Sequence, residues 1–384
     1  MKKKIKKILL AGLGAEIGSM LLSLNNPGKD NLFIDTVITK PILTGKNYTQ
    51  LESLYARLVL NDPAISPFLE IDEKKQIIKI KGRKIKIYWG DVTKFNFKKI
   101  KKRFDATIVA TSKTHINNKD VMKKFLQVSD FVFGVAESTY FPAIYPCLMN
   151  VNDQFIQNKL QKIVNNKIFV FGSCQSNGWT SQLRGVLDTI NSNCNEFKMY
   201  DMELDIIHPD TPTGRLGTKS IEPRDQDPRN NFRPSFSQAN ISMKRLYPKT
   251  ESINTISLRT LISPPGFQIS RFFFTYKTKN NKRLNFGNFI KSFKSLEEKL
   301  PFLLQTTNFP LGSKAFEMTE AASVILLSEK YFTFKNKILN VQNGDNLSEL
   351  IVQAYVHNTR GYCRSIIFGL NQFLLSKYKK AFFR

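Results

Sequence analysis

Cys174 stands in Gly172-Ser-Cys-Gln-Ser-Asn177, directly after an apolar run and just before a helical pattern. A cysteine at a helix N-terminus has its thiolate stabilised by the dipole and by free backbone N–H groups, which makes it a candidate nucleophile. Only three histidines exist, His115, His208 and His357, so the search for an imidazole partner is short. His208 ends a strand pattern and opens a long polar loop, and it is the expected base, because an imidazole beside a thiol favours the ion pair and then shuttles protons. A second signal lies near the N-terminus, where Gly12, Gly14 and Gly18 follow the apolar run Ile8–Ala11. A buried strand, a glycine turn and a helix would offer backbone N–H groups to a pyrophosphate. The spacing GxGxxxG is one residue longer than the usual dinucleotide fingerprint.

These residues sit in a chain of 384 residues, 41% hydrophobic, which is enough for two ordinary domains with real cores. The net charge of +27 excludes a neutral scaffold and favours anionic partners, although abundant Lys, Asn, Ile and Phe also admit a compositional origin. The N-terminal lysines followed by Ile8-Leu-Leu resemble a signal peptide, but Glu16 and the glycines fit the strand–turn–helix reading better. Apolar runs such as Ala322–Ser328 fall far short of the roughly 20 residues that span a bilayer. Four cysteines without a CxxC argue against a disulfide framework or a zinc site, so a cytoplasmic location and no metal are expected.

The elements that must position the candidates follow from periodicity. Strands are expected at Ile8–Ala11, Asn31–Thr39, Ala106–Thr111, Phe131–Val135 and Lys167–Gly172. Helices are expected after the glycine turn through Leu24, at Gln50–Leu60 and at Lys119–Leu126. Ile77–Tyr88 alternates apolar and basic residues about a glycine, as a hairpin with one wet face does. The basic stretch from Lys74 to Arg103, with Asp91 its one acid, reads as a solvated face before it reads as a nucleic-acid patch. A helix is expected at Thr180–Ile190, long strands at Glu203–His208 and Gln268–Tyr276, and a closing amphipathic helix at Arg364–Ala381. The polar run Pro209–Pro234 is too irregular for a core element and long enough to be functional.

The order of a glycine-rich turn, Gly-Ser-Cys-Gln-Ser-Asn, Ile-Ile-His-Pro-Asp-Thr-Pro-Thr, Asn-Asn-Phe-Arg-Pro-Ser-Phe-Ser and Asn-Thr-Arg-Gly-Tyr-Cys-Arg resembles glyceraldehyde-3-phosphate dehydrogenase along nearly the whole chain. Met149-Asn-Val-Asn is similar to that family's Gly-Val-Asn element. The resemblance implies an α/β fold: a Rossmann-like domain over 1–172 with 358–384, and a catalytic domain over 173–357 with a mixed, largely antiparallel sheet. It implies a glycolytic oxidoreductase and homotetramer that uses NAD or NADP, inorganic phosphate and a phosphorylated aldehyde. Cys174 falls on the family's nucleophile and His208 on its base. Ser173, Gln175, Thr211, Thr213, Arg224, Ser237 and Arg259 fall on its anion-binding positions. Gly12, Gly14, Ala15, Glu16, Ile17, Lys40, Ser112 and Asn358 fall on cofactor positions.

The departures are specific. Ala15-Glu16 stands where the family has one Arg, and Gln175 replaces a threonine. The acid expected after the second strand is missing, and Thr39-Lys40-Pro41 stands there, so Lys40 could attract the 2′-phosphate of NADP. Thr359 replaces a glutamate and Gly214 a glutamine. Two other readings stay open: a dehydrogenase of another phosphorylated aldehyde such as erythrose 4-phosphate, and a non-catalytic relative whose basic face binds RNA. His115 is expected on a loop beyond a strand end, His357 facing solvent, and Cys147, Cys194 and Cys363 without a chemical role.

Overall fold

The computed structural model describes residues 5–13, 16–42, 47–163, 165–210, 222, 226–248, 250–280, 282–340 and 346–375. The chain folds as two units: Met1–Ile144 with Leu160–Gly172 and Ile366–Arg384, and Tyr145–Lys159 with Ser173–Ser365. Residues 145–159 and 358–365, expected with the first domain, thus belong to the second unit.

The first unit is built on strands β1 (Lys6–Ala11), β2 (Leu32–Thr39), β3 (Leu69–Asp72), β4 (Ile77–Ile80), β5 (Arg83–Trp89), β6 (Phe104–Val109), β7 (Ser129–Gly134) and β8 (Ile168–Val170). Their order is β3-β4-β5-β2-β1-β6-β7-β8. From β5 to β8 every neighbouring pair is parallel. Counted along the chain, these six parallel strands lie in the order 3-2-1-4-5-6, and the direction of winding reverses between β1 and β6. Continuous apolar runs such as Ile8-Leu-Leu-Ala11 suit strands of this kind, which are covered on both faces. The helices are α1 (Glu16–Leu24), α2 (Pro27–Asp30), α3 (Gln50–Asn61), α4 (Lys113–Ile116) and α5 (Lys119–Lys124). Thr49 and Glu52 close a reciprocal capping box at the start of α3. The β4–β5 hairpin buries Ile78, Ile80, Ile85 and Ile87 and turns its lysines out, through Lys81 and Gly82 at φ 51° and 76°. Arg83 departs from the solvated face: it reaches the Leu22 carbonyl and Asn25, and burial lowers its pKa.

Helix α6 (Gln154–Ile163) precedes β8. The second unit continues with α7 (Cys174–Asn193), β9 (Cys194–Pro209), β10 (Arg233–Pro234), α8 (Ala239–Leu246), β11 (Ser252–Thr260), β12 (Gly266–Thr278), α9 (Phe286–Lys299), β13 (Leu304–Thr307), β14 (Ser323–Leu326), β15 (Phe332–Asn340), β16 (Asn346–Val356) and α10 (Arg360–Leu374). The sheet runs β10-β11-β9-β12-β16-β14-β13, with β15 on β16. It is mixed: β9 with β11 and β13 with β14 are parallel, and the remaining pairs are antiparallel. Period-2 alternation turns Met202, Leu204 and Ile206 inward, together with Phe272 and Phe274 of β12.

Most boundaries fall within two residues or so of expectation, and three differ by more. The helix expected from Thr180 starts at Cys174, because Ser173 caps it by accepting from the Ser176 N–H at 3.1 Å. The strand expected from Glu203 starts at Cys194. The last helix covers Arg360–Leu374, and residues 376–384 lie outside those described. No helix among the described residues is long and apolar enough to cross a membrane.

Candidate functional site

In the first unit the glycine turn is enforced by crowding. Gly12 has φ 101°, and a Cβ on it would lie 2.6 Å from the Ala110 carbonyl oxygen. A Cβ on Gly18 would lie 2.0 Å from the Gly12 carbonyl oxygen, so α1 leaves the turn at a distance that only glycine permits. A cavity of about 500 Å³ opens at the C-terminal ends of β1, β2, β5 and β6, lined among others by Gly12, Thr39, Lys40, Arg57, Ser112 and His115. Ligands in open α/β sheets bind at this kind of position, where the winding reverses.

Its polar groups differ in how they are used. Lys40 Nζ sits 2.8 Å from Asp91 Oδ2. Lys40 and then the Thr93 N–H hold the Asp91 carboxyl well below the ordinary carboxylate range. Ser112 caps α4 through its Oγ. His115 lies in that short helix rather than on a loop, and its Nδ1 is buried without a hydrogen bond, as is Thr111 Oγ1. Arg57, in the third turn of α3, is half-buried and makes no hydrogen bond or ion pair among the described residues. Glu16 is the first residue of α1, and burial raises its pKa. Ile17 follows it in the same turn, while Gly14 and Ala15 lie outside the described residues.

In the second unit the candidates gather at one end of the sheet. His208 is the penultimate residue of β9, and its register partner on β11 is Arg259. Ile206, opposite Gln268 on β12, lies on the same face of β9 as His208. Gln268 Nε2 donates to the Gln175 carbonyl at 3.0 Å and to Gln175 Oε1 at 2.6 Å, which sets the start of α7 over that face. One turn on, Gly178 meets Val356, the last residue of β16, with room for no Cβ (2.5 Å to Cγ2). Asn358 follows that strand, buried, with Oδ1 lacking a hydrogen bond among the described residues. Cys174, His208, Arg259 and Asn358 therefore converge on the same sheet end.

A buried polar lattice supports this arrangement. Gln182 Nε2 donates to Gln268 Oε1 at 2.8 Å, and Ser270 Oγ to Gln182 Oε1 at 2.6 Å. Ser176 Oγ lies 2.8 Å from both Ser173 Oγ and Ser242 Oγ, tying α7 to α8. Ser237 is buried just before α8, its Oγ accepting from the Ala239 N–H. His208 Nδ1 lies 2.6 Å from the Pro209 carbonyl; it donates there, which leaves the ring lone pair on Nε2.

Sequence reasoning missed Asp210 and Arg233. The Arg233 guanidinium, almost fully buried, pairs with Asp210, whose other oxygen lies 3.9 Å from Arg259. Arg259 is thus set among charges rather than on the surface. Thr211, Thr213 and Arg224 lie outside the described residues. His357 faces the interior, not solvent: its Nε2 is 2.8 Å from the Glu317 carbonyl, and burial lowers its pKa to about 4. Burial pushes the Cys147 thiol up to about 12 and that of Cys194 to about 11, so neither readily forms a thiolate. Arg57 carried no sequence signal, and Asp91 stood out only as the one acid of a basic stretch, because only the fold brings their elements beside the glycine turn.

No protein-family model matches this chain, and no curated protein matches it in sequence.

Proposed function

We propose that the chain is a divergent NAD(P)-dependent phosphorylating dehydrogenase of the glyceraldehyde-3-phosphate dehydrogenase type. The observation that carries this reading is the convergence of Cys174, His208, Arg259 and Asn358 at one end of the second sheet. Charge and composition alone would not bring a thiol, an imidazole, a buried guanidinium and a buried amide together.

The first unit is read as a Rossmann-like dinucleotide-binding domain. Support comes from its 3-2-1-4-5-6 parallel order, the crowding that excludes a side chain at Gly12 and at Gly18, and a cavity at the reversal of winding. The unpartnered Thr111 Oγ1 and His115 Nδ1 fit a polar ligand in that cavity. Glu16 at the helix start opposes an anion there, and its raised pKa eases the conflict.

In this reading His208 Nε2 takes the Cys174 proton, and Sγ bonds to the aldehyde carbon. The backbone N–H of Cys174, at the start of α7, helps to hold the oxyanion that forms. A bound nicotinamide would supply the acceptor for the hydride that this carbon gives up, and Asn358 is the candidate to orient its amide. The product on Cys174 is a thioester; inorganic phosphate attacks it, and Sγ leaves as thiolate with an acyl phosphate released. Arg259, beside His208, is a cation for the phosphates.

The test is phosphate-dependent reduction of NAD and NADP by glyceraldehyde 3-phosphate and by erythrose 4-phosphate, with wild type beside Cys174→Ser. Activity that vanishes in the variant supports the reading, and the preferred aldehyde names the substrate. Folded protein inactive with both aldehydes and both cofactors overturns it.

A further inference from the structure

We infer that the first unit's cavity selects an adenosine bearing a 2′-phosphate, and that Arg57 is the cation that receives it. This inference rests on the dinucleotide reading of that unit.

An acid after the second strand ordinarily binds the ribose hydroxyls of NAD and repels a 2′-phosphate. Here Thr39-Lys40-Pro41 occupies that place and lines the cavity. A carboxylate does reach Lys40 from beyond β5, that of Asp91. Its two oxygens are engaged, Oδ2 by Lys40 and Oδ1 by the Thr93 N–H and hydroxyl at 2.9 and 2.8 Å. Asp91 therefore has little capacity left to accept from a ribose, and Lys40 is already neutralised by it.

Arg57 is the group left over. It lines the same cavity as Lys40, is half-buried, and makes no hydrogen bond or ion pair among the described residues. A guanidinium withdrawn from water without a partner is unfavourable, and its planar fork matches phosphate oxygens in pairs. In the same cavity lining, Thr111 Oγ1 and His115 Nδ1 are buried without hydrogen bonds among the described residues and stand ready for hydrogen-bonding groups of the base or ribose. The volume of about 500 Å³ suits a nucleotide-sized ligand. Asp91 acts here as a positioning residue that holds Lys40 at the rim.

The experiment is calorimetric titration of the full chain with adenosine 2′,5′-bisphosphate and with 5′-AMP, repeated with NADP and NAD. Wild type should bind each 2′-phosphorylated ligand about tenfold or more tightly than its partner, with the preference shrinking as salt rises. Arg57→Gln should abolish the preference and leave 5′-AMP affinity unchanged, while Lys40→Gln should lose less of it. Equal binding of the two ligands by wild type, or a preference that survives Arg57→Gln, overturns the inference and leaves the dinucleotide reading standing. Should Arg57→Gln lose 5′-AMP binding as well, Arg57→Lys decides: a reduced preference supports the inference and an unchanged one overturns it. Binding of none of the four ligands by folded wild type overturns both readings.

Discussion

Gly18 and Gln268 hold their respective sites by opposite means: the first by having no side chain, the second by having one whose donors and acceptor are used in the interior. At the glycine turn, α1 approaches the Gly12 carbonyl to a distance that excludes a Cβ. At the end of the second sheet, the start of α7 is fixed by an amide that bonds Gln175 and Gln182 in a dry environment. Backbone crowding specifies a site by exclusion and announces itself as glycine. A buried hydrogen-bond lattice specifies by satisfaction, and its members look like any other polar residues until the fold is known.

The largest effect is expected on chemistry. If the proposed dehydrogenase chemistry holds, Cys174→Ser should lower its turnover on the order of a thousandfold or more while thermal unfolding stays unchanged. Of the two means of holding a site, exclusion should break harder. Gly18→Ala forces backbone apart and should cost about 2–4 kcal/mol with loss of nucleotide binding, read by denaturant unfolding and calorimetry. Gln268→Leu leaves Gln175 and Gln182 short of partners and should cost about 1–3 kcal/mol, with turnover falling and nucleotide affinity untouched. A cost of Gln268→Leu above that of Gly18→Ala would reverse the comparison.

A pH series sharpens it further. His357 is buried neutral, with its pKa lowered from an ordinary value near 6.5 to about 4. The unfolded chain gains the proton first as pH falls, so this stabilisation is full above pH 6.5 and declines between 6.5 and 4. His357→Gln should flatten that limb of the unfolding curve. The smallest effect is expected at Glu16, where Glu16→Gln removes a carboxylate from the start of α1 and should tighten nucleotide binding a few-fold at pH 7.

The first sheet was the more legible. Ile8–Ala11, Ala106–Thr111 and Lys167–Gly172 are short, mainly apolar runs without period-2 alternation, as buried parallel strands require, and the observed strands overlap them. The start of α7 was less so, because Cys174-Gln-Ser-Asn-Gly carries polar residues and a glycine, which delayed the expected helix to Thr180. Only the cap at Ser173 and the lattice around Gln268 make it helical. His208 and Arg259 were singled out individually, but their adjacency depends on the parallel register of β11 on β9. Arg57 was illegible because nothing in an amphipathic helix marks which exposed-looking arginine will border a cavity.

Phe133 stacks on Phe169 and Phe171, and Phe373 meets Phe131, Phe133 and Phe169 edge-on at 5.1–5.2 Å. The ring that completes this aromatic cluster thus arrives about 200 residues after its partners, with most of the second unit translated in between. At ordinary elongation speeds that interval is about 10–40 s. For that time the contact that Phe373 makes with Phe133 is missing from the nascent first sheet, so the ribosome's own pace sets how long that aromatic surface stays open.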